Sequence, residues 1–225
     1  MTTKKPIASA LGVLAAGFTL AACGAGEGDS QSEASASKAL PQGSEKVDLK
    51  PADFSINIDN PYWPMSPGSK WVYREADTEG KKERVVVEVT HKTKMIANGI
   101  EARVIRDTVS ENGVPVEITD DWYAQDKAGN IWYLGEYVTN YENGKVVDHS
   151  GSFEAGVDGA QAGIALPANP EPGMSYRQEF YKGEAEDKGA VVTVGEEQVQ
   201  VPLGFFDKDV LMLVTWCHWS RRFRS

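Results

Sequence analysis

The residues that could perform chemistry in this chain are few and widely separated. Its three histidines, His91, His149 and His218, stand alone, without the ligand spacing of a zinc site and without a nucleophile motif such as Gly-x-Ser-x-Gly. Asp120 and Asp121 are adjacent, and neighbouring side chains on a strand point to opposite faces, so they cannot act as a catalytic carboxylate pair. We therefore expect a protein that is not an enzyme, with no catalytic residue, no metal ion and no cofactor.

Cys23 is the residue whose context indicates a specific reaction. It follows Leu20-Ala21-Ala22, and two lysines and a short apolar run precede these residues, which is the pattern of a secretory signal. Residues 20–23 resemble the lipobox of bacterial lipoproteins. That resemblance implies cleavage between Ala22 and Cys23, a diacylglycerol on the Cys23 sulfur and often a further acyl chain such as palmitate. Because two or more acyl chains anchor a protein stably, we expect residues 1–22 to be a signal peptide and the mature chain to be held at the extracytoplasmic side of the cell membrane.

The chain after the anchor begins with a segment that cannot form a core. Residues 23–52 consist mainly of Gly, Ser, Ala, Glu and Gln, and such a composition buries too little apolar surface to offset chain entropy. We interpret this segment as a flexible tether. The formal net charge of −10 argues against nucleic acid as a partner. The expected partners are the membrane, through the anchor, and an envelope protein, glycan or lipid.

The pattern of residues 53–213 predicts a mainly β fold. Short alternating segments rich in Val, Ile, Trp and Tyr are separated by turns such as Asn98-Gly99, Asn112-Gly113 and Asn143-Gly144, which are strong hairpin signals. We predict an antiparallel meander that forms a curved sheet or a sandwich, with no amphipathic helix after the signal. Residues 151–172, rich in Gly, Ala and Pro, are interpreted as a long irregular connection that packs over an open end of the sheet as a lid or rim.

Two aromatic pairs flank one short turn and are the strongest candidates for a binding surface. Trp122 and Tyr123 precede the turn, and Trp132 and Tyr133 follow it, so one ring of each pair should face the core and the other ring the opposite surface. Exposed together with Trp63, the outward rings would form a binding patch; if the sheet is covered on both faces, they are core. For Trp63 itself, in a Pro-rich cluster, we favour a core plug over a sugar-stacking platform.

An internal repeat organises the predicted domain. Residues 67–75 and residues 172–179 both contain Pro-Gly, an aromatic residue shortly afterwards and then a glutamate, and the segments that follow are also alike. We predict two related β units, over residues 60–150 and residues 172–213, the second of them truncated.

The end of the chain departs from the rest in composition. No acidic residue follows Asp209, whereas three arginines do. Reading residues 214–221 as codons in a shifted frame gives a segment compatible with Pro-Leu-Glu-Pro. We therefore interpret residues 214–225 as a frameshifted or non-native tail rather than as a basic C-terminal tail, and do not interpret Cys217 and His218 as a metal or catalytic pair.

Four stretches resemble a family of uncharacterised bacterial lipoproteins that is common in actinobacteria. They are residues 60–64, 67–73, 121–136 and 181–187, and the resemblance extends from about residue 60 to 211. The family continues beyond this point with a Pro-Leu-Glu-Pro segment. The resemblance implies a membrane address and a β fold, but no catalytic residues. We expect a non-catalytic binding domain at the cell envelope; the alternatives are a structural or assembly factor without a small ligand and, less favoured, a hydrolase-type enzyme.

Overall fold

A computed structural model describes residues 39–76, 80 and 82–217. The predicted signal peptide over residues 1–22, the predicted lipidation residue Cys23 and the predicted tether up to residue 38 lie outside the described residues, as does the chain after Cys217. Helix is confined, within the described part, to a single 3-10 turn at Pro51–Asp53. None of the described helical structure is long and apolar enough to span a membrane.

The described residues form fifteen strands, which confirms the predicted mainly β class. In chain order they are β1 (Phe54–Ser55), β2 (Lys70–Ala76), β3 (Lys82–Met95), β4 (Glu101–Glu111), β5 (Val114–Asp126), β6 (Ile131–Glu142), β7 (Lys145–Asp148), β8 (Phe153–Glu154), β9 (Gln161–Leu166), β10 (Ser175–Arg177), β11 (Glu179–Phe180), β12 (Asp187–Val194), β13 (Val199–Val201), β14 (Gly204–Phe206) and β15 (Leu211–Cys217).

The large sheet is an antiparallel meander that curls into a half-barrel, as the sequence predicted. Its strands follow the order β11-β9-β6-β5-β4-β3-β2, and the short strands β1, β7 and β8 pair with β5 or β6. The predicted turn between β4 and β5 places Asn112 at φ 50° and Gly113 at φ 82°, the left-handed pair that matches the twist of a hairpin. A second sheet of order β10-β12-β15 and the hairpin β13–β14 complete the topology.

The segment predicted as a lid is instead a buried strand of the large sheet. β9 pairs with β6 on one side and β11 on the other, and Ile164 and Leu166 are almost completely buried. Because both faces are covered, its apolar residues do not alternate with polar ones, and periodicity gave no strand signal. Gly163 permits this packing, since a Cβ there would collide with the backbone of Arg177 and Gln178.

The predicted tether extends too far toward the C-terminus. Residues 39–50, which we call the N-terminal strap, lie against the domain: Leu40, Val47 and Leu49 pack on the core cluster around Trp132. Three apolar residues spread among polar ones are too sparse to indicate packing from composition alone, which is why the boundary was placed at residue 52.

Arg177 holds the strap in place. Its side chain is 1% exposed and donates hydrogen bonds to the carbonyl groups of Gly43 and Glu45 in the strap. The same guanidinium donates to the carbonyl of Ala162 from Nε and Nη2, at 3.1 and 2.6 Å. The backbone N–H of Arg177 also donates to the carbonyl of Pro41 at 2.6 Å. One buried cation thus joins the strap to β9 through backbone oxygens.

The two predicted units share a strand order and a turn. In both β10-β12-β15 and β2-β3-β4 a central strand pairs antiparallel with two others, although β10, β12 and β15 are not consecutive in the chain. The Pro-Gly turns place Gly68 at φ 91° and Gly173 at φ 88°, and these N–H groups donate to the carbonyls of Val89 and Val191 at 2.8 and 2.9 Å. A register shift follows each valine. The repeat itself stays a prediction. The strand in the position corresponding to β4 is β15, whereas the sequence comparison placed it at residues 205–211.

The predicted non-native tail begins inside the last described strand. β15 pairs with β12 from Leu211 opposite Val194 to Cys217 opposite Asp187, so residues 214–217 have a defined place at the edge of the second sheet. The frameshift is a statement about the gene and stays a prediction.

Candidate functional site

The aromatic residues predicted as a binding patch lie in the core. Trp122, Tyr123, Trp132 and Tyr133 are 7, 9, 8 and 8% exposed, because apolar clusters cover both faces of the large sheet. The two tryptophans belong to one cluster and the two tyrosines to the other, as alternation along a strand requires. The alternative interpretation holds, and no exposed patch forms from these rings.

Trp63 belongs to a plug at one end of the large sheet, as favoured from the sequence. Its ring meets that of Tyr123 edge-on, with ring centroids 5.5 Å apart, and the nearby Met65 is 1% exposed. Asn60, 3% exposed, donates from its side-chain amide to the carbonyl of Gly129 at 3.2 Å. The Pro-rich aromatic segment therefore packs against the core through Trp63 and Met65.

Asp126 organises the turn between β5 and β6. Its Oδ1 accepts the backbone N–H groups of Ala128 and Asn130, both at 2.9 Å. Its Oδ2 accepts the side-chain amide of Asn130 and the indole N–H of Trp132, both at 2.8 Å. Donors within the turn therefore occupy both oxygens of Asp126 and hold the hairpin together.

The sheet assembles a group of carboxylates that the sequence analysis missed. Asp107 on β4, Glu117 and Asp121 on β5, and Glu136 on β6 point to one side, which we call the acidic face. The ladder places Asp121 directly opposite Glu136, and Asp107 opposite Thr119, and alternate residues of a strand share a face. Each of the four carboxylate residues is half-buried, and Asp107 Oδ1 is buried without a hydrogen-bond partner.

Asp120 lies on the opposite face of the sheet and has a different environment. Its two oxygens accept hydrogen bonds from Nε and Nη2 of Arg106, both at 2.7 Å, and this ion pair is exposed. The prediction that Asp120 and Asp121 point apart is therefore confirmed. One aspartate is neutralised by a cation, and its neighbour is directed at other carboxylates.

Two stacked tyrosines form the floor beside Asp121. The hydroxyl group of Tyr133 donates to Asp121 Oδ1 at 2.6 Å. The rings of Tyr133 and Tyr123 are stacked, with centroids 4.8 Å apart and an interplanar angle of 15°, and Phe153 meets Tyr133 edge-on at 5.5 Å. Packing on both sides fixes the phenol ring and so fixes the hydroxyl that orients the carboxylate.

β11 contributes a fifth carboxylate from a distant part of the chain. Glu179 is 8% exposed, and its Oε2 has no hydrogen-bond partner. Its charge acts on Glu136 and on both tyrosines of the floor, so it faces the acidic face. A cleft of about 200 Å³, lined also by Arg177 and Lys188, opens beside Glu179 at the strap.

Burial raises the pKa of every one of these carboxyl groups. The pKa of Asp107 rises to about 6, and those of Glu117 and Asp121 rise to about 7. The pKa values of Glu136 and Glu179 rise well above the usual range of a glutamate. Loss of hydration is the largest cause in each case, and the negative charges of neighbouring carboxylates add to it.

Cations do not balance this charge within the described residues. None of the five carboxylates forms an ion pair there with a lysine or arginine. Arg103 lies on the same side, opposite Tyr123 in the ladder, but its guanidinium donates to the carbonyl of Lys92 at 3.5 Å and its Nε has no partner. The described part of the chain also contains no group of three His, Cys, Asp or Glu side chains that could hold a metal ion.

The two histidines in the described part of the chain, His91 and His149, lie away from the acidic face. His149 stacks on Tyr137, with centroids 4.7 Å apart, and bonds through Nδ1 to the carbonyl of Val138 at 2.7 Å. Tyr137 is opposite Asp120 in the ladder, which places this pair on the face away from the tyrosine floor. His91 lies close to the turn at Gly68.

Part of the signal for the acidic face was present in the sequence. Glu117, Thr119 and Asp121 occupy alternate positions of one predicted strand, so a polar side could have been read from them. Their alignment with Asp107 was not readable, because a register shift interrupts the β4–β5 ladder near Val109. No local sequence pattern indicates that Glu179 lies at the acidic face.

No protein-family model, no curated protein and no solved structure matches this chain. The interpretation of the acidic face therefore depends on its own geometry and chemistry.

Proposed function

We propose that this protein is a lipid-anchored lipoprotein at the extracytoplasmic side of the cell membrane, and that its β domain binds a ligand at the acidic face without catalysing a reaction. The observation that carries the binding role is the set of five carboxylates on four strands, directed at one side without an ion-pair partner among the described residues. Grouping buried like charges opposes folding. Proteins keep such unfavourable groups where function requires them.

The lipid anchor is supported by residues 20–23, by the apolar segment before them and by the two lysines that precede that segment. To test it, cells producing the chain are fed a labelled fatty acid. We expect label in the unaltered chain and none in Cys23→Ala, while the control Cys217→Ala keeps its label. A labelled Cys23→Ala chain, or an unlabelled original, would contradict the anchor.

The binding role predicts that the acidic face lowers stability. Replacing Asp107 by Asn together with Glu117 by Gln removes two carboxylates that repel their neighbours but keeps their shapes. We expect the free energy of unfolding at about pH 8 to rise by about 1 kcal/mol, a figure reduced for the partial exposure of both groups. Urea unfolding of the variant and the original chain measures this change.

The matched control is Asp120→Asn, which removes a carboxylate one residue from Asp121 but on the other face. Because Arg106 already neutralises Asp120, the control should leave stability unchanged or lower it by up to about 1 kcal/mol. If the double variant at Asp107 and Glu117 were also destabilised, the acidic face would be structural, and the alternative of an envelope assembly factor would be favoured.

A further inference from the structure

The shape of the acidic face limits the classes of ligand that it can bind. Four of its carboxylates belong to the neighbouring strands β4, β5 and β6, which lie about 4.8 Å apart in a sheet, and Glu179 is added from β11, on the far side of β9. They form an extended row of negative charge rather than a compact cage. No three of them are grouped as metal ligands within the described residues, so a ligand that spans the row fits better than a single metal ion.

Glu179 is the second, independent observation that points to a ligand. It comes from β11, outside the β4–β6 meander, and it is more than nine-tenths buried, with 8% exposure. Its Oε2 lacks any hydrogen-bond donor, although it faces Glu136 and Asp121. A buried carboxylate oxygen without a donor costs free energy, and a donor supplied by a ligand would remove that cost.

The donors and charges around the row specify the chemistry of that ligand. Tyr133 already donates to Asp121 Oδ1, which leaves the other carboxylate oxygen for a ligand. The charges that act on Asp107, Glu117 and Glu136 are those of other carboxylates, so an anion would be repelled. A neutral glycan could donate hydrogen bonds but would not stabilise ionised carboxylates in this environment. Ammonium groups supply donors together with the positive charge that favours ionisation of carboxyl groups whose pKa burial has raised.

We propose that the acidic face binds an organic cation with several ammonium groups, of the linear polyamine type, between β4, β5, β6 and Glu179 of β11. The inference rests on the proposed binding role of this face and adds the chemical class of the ligand. The four half-buried carboxylates receive the ammonium groups from solvent, and the cleft at the strap gives a second approach to Glu179.

Calorimetric titration of the full 225-residue chain, carrying Cys23→Ser so that no lipid is attached, tests this proposal with spermidine as the probe. We expect saturable binding that weakens as salt is raised and no binding of triethylene glycol, an uncharged chain of similar length. The variant with Asp121→Asn and Glu136→Gln should bind about tenfold more weakly, because charged hydrogen bonds are lost. Asp120→Asn should bind as the original chain does.

Two results would overturn the proposal: no saturable binding of spermidine, or equal weakening by Asp120→Asn, which general attraction to an acidic protein would produce. Because the double variant could be misfolded, carbodiimide labelling of the chain with native carboxylates gives a second measurement. Spermidine should protect the half-buried Glu117 and Glu136 from labelling but not the exposed Glu101, and uniform labelling would contradict the site. If spermidine fails while neutralising Asp107 and Glu117 still raises stability, the ligand class is wrong and the binding role is retained.

Discussion

Three aspartates near one hairpin have three different environments. Asp120 is paired with Arg106, Asp126 is saturated by the donors of its own turn, and Asp121 accepts one hydroxyl and faces other carboxylates. The residue type is the same in each case, and the positions are within seven residues of one another. The strand face and the donors within reach decide whether the carboxylate is paired with a cation, saturated by its own turn or directed at other carboxylates.

The stability of the protein should fall as pH rises from about 4 to about 7. Unfolded Asp and Glu side chains have pKa values near 4, whereas the folded values are about 6 for Asp107 and about 7 for Glu117 and Asp121. Between these limits the folded state binds more protons than the unfolded state, so the free energy of unfolding decreases with pH. Urea unfolding at several pH values measures this slope, and a free energy that rises over the same interval would contradict it.

Tyr133→Phe should lower the free energy of unfolding more at high pH than at low pH. The change removes the hydroxyl that donates to Asp121 and leaves a half-buried carboxylate without that donor, which should cost about 1 kcal/mol at about pH 8. At about pH 5 Asp121 is largely protonated, so the loss should be smaller. Tyr62→Phe, at a 37% exposed position, is the control and should change stability by less than about 0.5 kcal/mol at both pH values.

At the scale of elements, β9 depends on a contact that only glycine allows. The strand is crossed so closely by the chain at Arg177 and Gln178 that a Cβ on Gly163 would overlap their backbone. The same crossing brings Arg177 to the strap and Glu179 to the acidic face. One close approach of two backbones therefore positions both the N-terminal strap and the fifth carboxylate.

Gly163→Ala should destabilise the protein by about 3 kcal/mol, because backbone must move to admit the methyl group. Gly159→Ala is the matched control: its φ of 86° disfavours alanine, but nothing lies within 4 Å of the added Cβ. We expect the control to cost about 1 kcal/mol. Urea unfolding of both variants distinguishes the cost of the steric collision from the cost of the backbone conformation. Equal losses of stability would show that the collision at Gly163 adds no cost of its own.

At the scale of the whole molecule, β15 joins the β10-β12-β15 sheet to both core clusters. Leu211 and Leu213 pack against the cluster of the tryptophans and against the cluster of the tyrosines. β15 is also the outer strand of the β10-β12-β15 sheet, where unpaired backbone groups of an edge strand promote association. Sequencing the 3′ end of the gene tests the predicted frameshift within this strand.

A chain that stops after residue 210 should lose cooperative unfolding. Removing β15 exposes β12 and deletes two partly buried leucines, each worth about 2–5 kcal/mol if fully buried, against a total stability of about 5–15 kcal/mol for a domain. A chain that stops after residue 217 is the control and should unfold as the full chain does. Circular dichroism during urea unfolding measures both, and identical transitions would mean that β15 contributes nothing to the core.

The sequence by itself determined the mainly β class, the hairpin turns and the plug around Trp63, because alternation, Asn-Gly pairs and prolines act over a few residues. It also placed Asp120 and Asp121 on opposite faces. Only the tertiary structure decided that the aromatic pairs are buried on both sides, that β9 is a strand, and that the strap is held by Arg177 across more than a hundred residues. The tertiary structure also formed the acidic face. Register shifts and a distant strand bring Asp107, Asp121 and Glu179 to one side of the sheet, and no local pattern encodes either of them.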